Sequence, residues 1–81
     1  MYQTIHEAIS VAGVYAHGHF TPKKFQWRHK PFSITEVTSV HDFKDGSVRK
    51  RRFAVMAEKT VFLLEFDRDQ ESWVLEQLWV E

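Results

Sequence analysis

Large apolar residues recur two positions apart along most of this chain: Phe25 and Trp27, Phe32 and Ile34, then Phe53, Val55 and Ala57, then Phe62, Leu64 and Phe66. A period of two belongs to a pleated strand with one buried face. Lys24 to Val37 reads as two strands around a tight turn at His29-Lys30, each arm carrying its large residues on one face. A lone hairpin is marginal in water, so further strands must cover it. After Val37 the chain stays extended through Val40, and Asp45-Gly46 is a strong turn signal. The next strand runs from about Val48 to Glu58, with Phe53, Val55 and Ala57 on one side and Arg52, Ala54 and Met56 on the other. Beyond the polar break Glu58-Lys59-Thr60, the segment Val61 to Phe66 is apolar on both faces, as a central strand is. A polar turn over 67–72 leads into Trp73 to Val80. There the alternation slips after Leu75, which predicts a β-bulge near Glu76-Gln77 or a final helical turn.

The first twenty residues fit two patterns. Ile5, Ala8, Ile9 and Ala12 make a helical stripe, whereas Ile9, Val11, Gly13 and Tyr15 make a strand. Gly13 and the β-branched Val11 and Val14 disfavour the helix. A strand from about Ile9 to Ala16 is therefore expected, with 9–81 as one small β domain and residues 1–8 as an N-terminal arm that is disordered, a short helix or a strand added to the edge. Gly18 permits a turn, and Thr21-Pro22 interrupts pairing before the hairpin. The fold class is all-β: a small antiparallel barrel, or a strongly curled sheet, of five to six strands.

Composition adds a packing argument. Seven Phe, three Trp and two Tyr supply large buried areas to an 81-residue chain with little core volume. With no cysteine, there is no disulfide framework and no thiolate metal site. No apolar run approaches the roughly 20 residues that span a bilayer, and no signal-peptide pattern is visible, so a cytoplasmic protein away from membranes is expected.

The formal net charge of zero conceals an asymmetry. Residues 1–52 hold nine Lys/Arg against four Asp/Glu, and residues 53–81 hold two against seven. Such an imbalance marks a nucleic-acid-facing surface, or basic and acidic strands that pair across a sheet.

The series Pro22, Phe25-x-Trp27-Arg28, Phe32-x-Ile34-x-x-Val37, Arg52-Phe53-x-Val55, Phe62-x-Leu64 through Asp67, and Trp73-x-Leu75 ending in Leu78-Trp79 resembles a bacterial family of small β domains of unknown function. These domains occur alone or appended to Y-family DNA polymerase-like proteins. The resemblance spans about residues 9–80 and is carried mostly by aromatics at strand spacing. The family pattern has Gly in the turn after Trp-Arg, where this chain has His29. The resemblance implies a small β domain and an association with DNA damage tolerance, and it brings no active site.

Candidate chemistry is sparse. His17 and His19 would share a strand face, with His6, His29 or His41 to complete a metal site. A zinc site needs three or four converging ligands, however, and scattered solvated histidines are the plainer reading. No metal and no cofactor are expected. The run Arg49-Lys50-Arg51-Arg52 is the sharpest electrostatic feature, and with Lys23, Lys24, Arg28 and Lys30 it would form a basic patch on adjacent strands. Phosphates need such groups in register. In a strand, though, Arg49 and Arg51 face away from Lys50 and Arg52. Phe25, Trp27, Phe53, Phe62, Phe66, Trp73 and Trp79 read as core. Tyr15, Phe20, Phe43 and Trp79, near turns or ends, are the aromatics to expect on a docking surface. No nucleophile elbow and no phosphate-cradling glycine loop exist, so an enzyme is not expected.

Two functions follow. One is a non-catalytic interaction module for a protein partner, linked to DNA repair or replication. The alternative is sequence-independent single-stranded nucleic-acid binding through Lys24, Arg28, Lys30, Arg49, Lys50 and Arg51.

Overall fold

A computed structural model describes residues 1–81. It contains seven strands and no helix: β1 Tyr2–Ala8, β2 Ser10–Ala16, β3 His19–Trp27, β4 Lys30–Asp45, β5 Val48–Ala57, β6 Thr60–Asp67 and β7 Ser72–Trp79. All pairings are antiparallel, in one sheet of order β1-β7-β6-β5-β4-β3-β2. The count exceeds the expected five to six because, of the alternatives for residues 1–8, the strand added to the edge is the one found. Residues 2–8 form β1, which pairs with β7 from Tyr2 opposite Trp79 to Ala8 opposite Val74.

β1 and β2 are consecutive in sequence yet occupy opposite edges, with only Ile9 between them. The Ile9 amide donates to the Trp73 carbonyl at 3.2 Å, which anchors the bend. No ladder joins β1 to β2, so hydrogen bonding does not close the sheet into a barrel. The sheet nevertheless curls. On a flat sheet β3 and β7 would lie roughly 19 Å apart, but the rings of Phe20 on β3 and Trp73 on β7 have centroids 5.8 Å apart.

Much of the curl is built into β4. Its ladder with β5 shifts register twice, at Thr35 and at Thr38. Each extra threonine donates its hydroxyl to a β5 carbonyl, Thr35 to Met56 at 3.2 Å and Thr38 to Ala54 at 3.0 Å. Bulges bend a strand and increase its twist. The slip expected near Glu76-Gln77 is also a bulge: Gln77 faces Leu63 and Leu75 faces Leu64, leaving Glu76 as the extra residue.

The concave face holds the core of Phe25, Phe32, Phe53, Val55, Ala57, Phe62, Leu64 and Leu75. Phe25 stacks on Phe32 at 4.9 Å, and Phe62 meets both rings edge-on at 5.1 and 5.3 Å. Trp27, Phe66 and Trp73 are half-buried against this core, while Trp79 is 41% exposed beside Tyr2.

The central hairpin turns at Arg28-His29, one residue earlier than expected, with both residues at positive φ (52° and 64°). Proline explains the difference. The two residues flanking a two-residue turn exchange both main-chain hydrogen bonds. A turn at His29-Lys30 would put Pro31 in that position, and proline has no N–H to give. With Trp27 opposite Lys30, Pro31 falls opposite Gln26 in a non-hydrogen-bonded pair, where the missing donor costs nothing. The β2–β3 hairpin turns at His17-Gly18 and places Pro22 opposite Gly13 in the same kind of pair. A Cβ on Gly13 would lie 2.2 Å from the Thr21 carbonyl oxygen and 2.7 Å from the Phe20 ring, so only glycine fits there. The β4–β5 turn centres on Gly46-Ser47, with Gly46 at φ 64°.

Candidate interaction surface

The basic run lies on β5 and divides between its faces. Arg49 and Arg51 lie on the concave side with Phe53, and Lys50 and Arg52 lie on the convex side. Each finds a carboxylate. Arg51 Nε donates to Asp42 Oδ1 at 2.5 Å, and Arg49 donates to Asp69 Oδ1 through its NH2 group at 3.0 Å. Lys50 reaches Asp45 at 3.2 Å and lies 3.9 Å from Glu65, the acidic residue that Arg52 also binds. Glu65 is buried although it faces outward, because these two cations lie over it. Acidic and basic strands therefore pair side by side: Arg52 stands opposite Glu65, and Lys50 opposite Asp67.

The hairpin cations are held as well. Arg28 binds Glu7 at 2.6 Å, and Glu7 also accepts from the Trp27 indole at 2.8 Å. The hydrogen bond from Arg28, then that from Trp27, holds the Glu7 carboxyl below its usual range. Lys30 meets Glu58 at 3.1 Å. Of the six cations proposed from sequence, only Lys24 has no carboxylate within ion-pair distance.

The histidines stay apart. His17 lies in a turn at φ 54°, not in a strand, so it does not share a strand face with His19. No group of three or more histidine or carboxylate side chains converges anywhere in the chain. His6, the bulged residue of β1, bonds Glu76 at 2.8 Å and is its single partner.

Two concave regions stand out. The larger, about 740 Å³, is lined by Trp27, Phe32, Phe62, Leu78 and Trp79 with Glu58 and Lys59 at its rim. Its β6 and β7 walls already have ladders on both sides, so it offers no free main chain there.

The second region, about 410 Å³, lies where β3 and β4 diverge. It is lined by His19, Phe20 and Thr21 on one side and Val40, His41 and Asp42 on the other, with Arg51 and Phe53 from β5. β4 pairs with β3 only from Lys30 to Ser33, and from Ile34 to Asp45 it has a ladder on the β5 side alone. Counting back from the turn pair Asp45–Val48, alternation aims the N–H and C=O of Lys44, Asp42 and Val40 away from β5. A row of unpaired main-chain groups therefore borders the cleft. Asp42 at its margin is held ionised by the hydrogen bond from Arg51, with Arg68 3.6 Å away adding to the effect.

Of the four aromatics expected on a docking surface, Phe20 lines this cleft, and Tyr15, 73% exposed, stands opposite it in the β2–β3 ladder. Phe43 lies under Arg52 on the convex side, and Trp79 borders the larger groove. The free edge of β4 was not foreseen. Its signal was length: a strand of 16 residues cannot be matched along both sides by neighbours of 9 and 10.

The chain matches no protein-family model, no curated protein and no solved structure. The likeness to the small bacterial domains thus rests on the sequence motifs alone. No helix is long and apolar enough to cross a membrane.

Proposed function

We propose that this chain is a non-catalytic, cytoplasmic interaction module that binds an extended segment of a protein partner as an added strand along β4. The unpaired edge from Ile34 to Asp45, opening onto an aromatic-floored cleft, carries this reading. Exposed sheet edges are templates for strand addition, with main-chain bonds supplying affinity and alternate side chains supplying specificity. The sequence resemblance points to a partner in a DNA repair or replication assembly. The alternative, single-stranded nucleic acid along the basic strand, would have to compete with the carboxylates that hold Arg28, Lys30, Arg49, Lys50 and Arg51.

Val40→Pro tests the reading. Val40 directs its N–H away from β5, so proline there removes a donor from the free edge without breaking a β5 bond. A protein partner retained by the native chain should be lost from an equally folded Val40→Pro variant. Equal retention by both would overturn the proposal.

A further inference from the structure

We infer that the segment taken up by the β4 edge is acidic, an inference that rests on the strand-addition reading above. The two hairpins flanking the cleft differ in composition but leave the same sign of charge unmatched. Residues 12–24, the outer part of β2 and β3 with their turn, hold His17, His19, Lys23 and Lys24 and no carboxylate. Residues 39–52 hold two carboxylates, and both are occupied: Asp42 by Arg51 at 2.5 Å with Arg68 at 3.6 Å, and Asp45 by Lys50 at 3.2 Å. Lys23 on β3 and Lys44 on β4, on the two strands that wall the cleft but outside its lining, have no carboxylate within ion-pair distance. His19 and His41 line the cleft without an ionic partner. The carboxylates that remain free of cations do not line it: Glu36 stands opposite Met56 on the convex face, Asp67 ends β6 and accepts from the Asp69 and Gln70 amides, Glu71 is in the β6–β7 loop, and Glu81 follows β7.

Between an acidic peptide and a nucleic-acid strand, the cleft favours the peptide. Strands of nucleic acid are held by successive aromatic platforms on which bases stack. Here Phe53 is 2% exposed, and Phe20 packs against Trp73 and over Gly13, leaving Tyr15 as the single open ring. A peptide instead uses what is present, a row of main-chain donors and acceptors with cations beside it.

Three probe peptides of about six residues separate the possibilities: threonine alternating with glutamate, with glutamine, or with lysine. Binding is followed by fluorescence polarisation and by the amide signals of Val40, Asp42 and Lys44. The glutamate peptide should bind about tenfold more tightly than the glutamine one, shift those three amides, and lose that advantage when Lys23 and Lys44 are both changed to Glu. The lysine peptide should not bind. Equal binding of the glutamate and glutamine peptides, with shifts on β4, would overturn the charge inference and leave strand addition standing. Absence of shifts on β4 with any peptide would overturn both. Displacement of the glutamate peptide by an oligothymidylate acting on the same amides would overturn the inference in favour of nucleic acid.

Discussion

β4 and β5 pass through two regions that are held together in different ways. Over the core, β5 contributes Phe53, Val55 and Ala57, all 2% exposed or less, against the rings of β3 and β6. Beyond Val40 the same two strands carry ion pairs: Asp42 with Arg51, Asp45 with Lys50, and Arg49 with Asp69. Burial of apolar area is not screened by salt, whereas exposed ion pairs contribute little and are screened. The β4–β5 ladder is continuous through both regions, and the β5–β6 ladder spans them too. On the β5 side this region stays tied to β6 as far as Lys50 and to the β6–β7 loop at Arg49, so its free edge belongs to β4 alone.

Breaking the core should have the largest effect. Leu64 is fully buried on the central strand, so Leu64→Ala should lower unfolding free energy by about 3 kcal/mol. Urea denaturation measures this, and a loss below about 1 kcal/mol would remove the contrast between the regions. Arg52→Ala addresses their boundary. It leaves the Glu65 carboxylate, 8% exposed, with only Lys50 at 3.9 Å, and should cost about 2 kcal/mol. Changing Arg52 to Met and Glu65 to Leu together should recover most of that loss, because the penalty comes from an unpaired buried charge.

Arg51→Ala tests the ion-paired region itself. Its partner Asp42 is half exposed, so the change should cost under about 1 kcal/mol and vanish in about 0.5 M salt. A larger, salt-resistant loss would show that the hairpin is as tightly held as the core. The smallest effect is that of pH. Hydrogen bonds from Arg51 to Asp42 and from Arg49 to Asp69 lower both carboxyl pKa values from the ordinary 3.8. Stability from a depressed carboxyl is fully present above its unfolded pKa and is lost as pH falls through the folded one. Melting temperature should therefore be flat above about pH 5 and decline below about pH 4. A variant carrying Asp42→Asn and Asp69→Asn should decline less.

Strand identity was legible where one face is buried, because alternation then has a single physical cause. Phe53, Val55 and Ala57 on β5 and the slip at Glu76 could be read directly. Residues 2–8 could not, since β1 is an edge whose pattern is mostly polar and exposed. The hairpin turn was displaced by one residue because hydrophobic pairing is satisfied in either register. Phe25 opposite Phe32 and Phe25 opposite Ile34 keep the same face, and only the missing N–H of Pro31 decides between them. The cations were visible as a run, but their partners come from other segments: Asp42 from the preceding strand and Asp69 from a distant loop. Charge neutralisation of that kind is a property of register, which the run by itself does not contain.

The pairing of β1 with β7 sets an order of events. The other ladders each join consecutive strands through a short turn, so they can form as local hairpins on a microsecond scale. The ladder from Tyr2 opposite Trp79 to Ala8 opposite Val74 joins the first of the seven strands to the seventh. During synthesis the N-terminal strand must wait, unpaired, until the residues of β7 have emerged. Its docking closes the longest loop in the molecule, the step that high contact order makes slow.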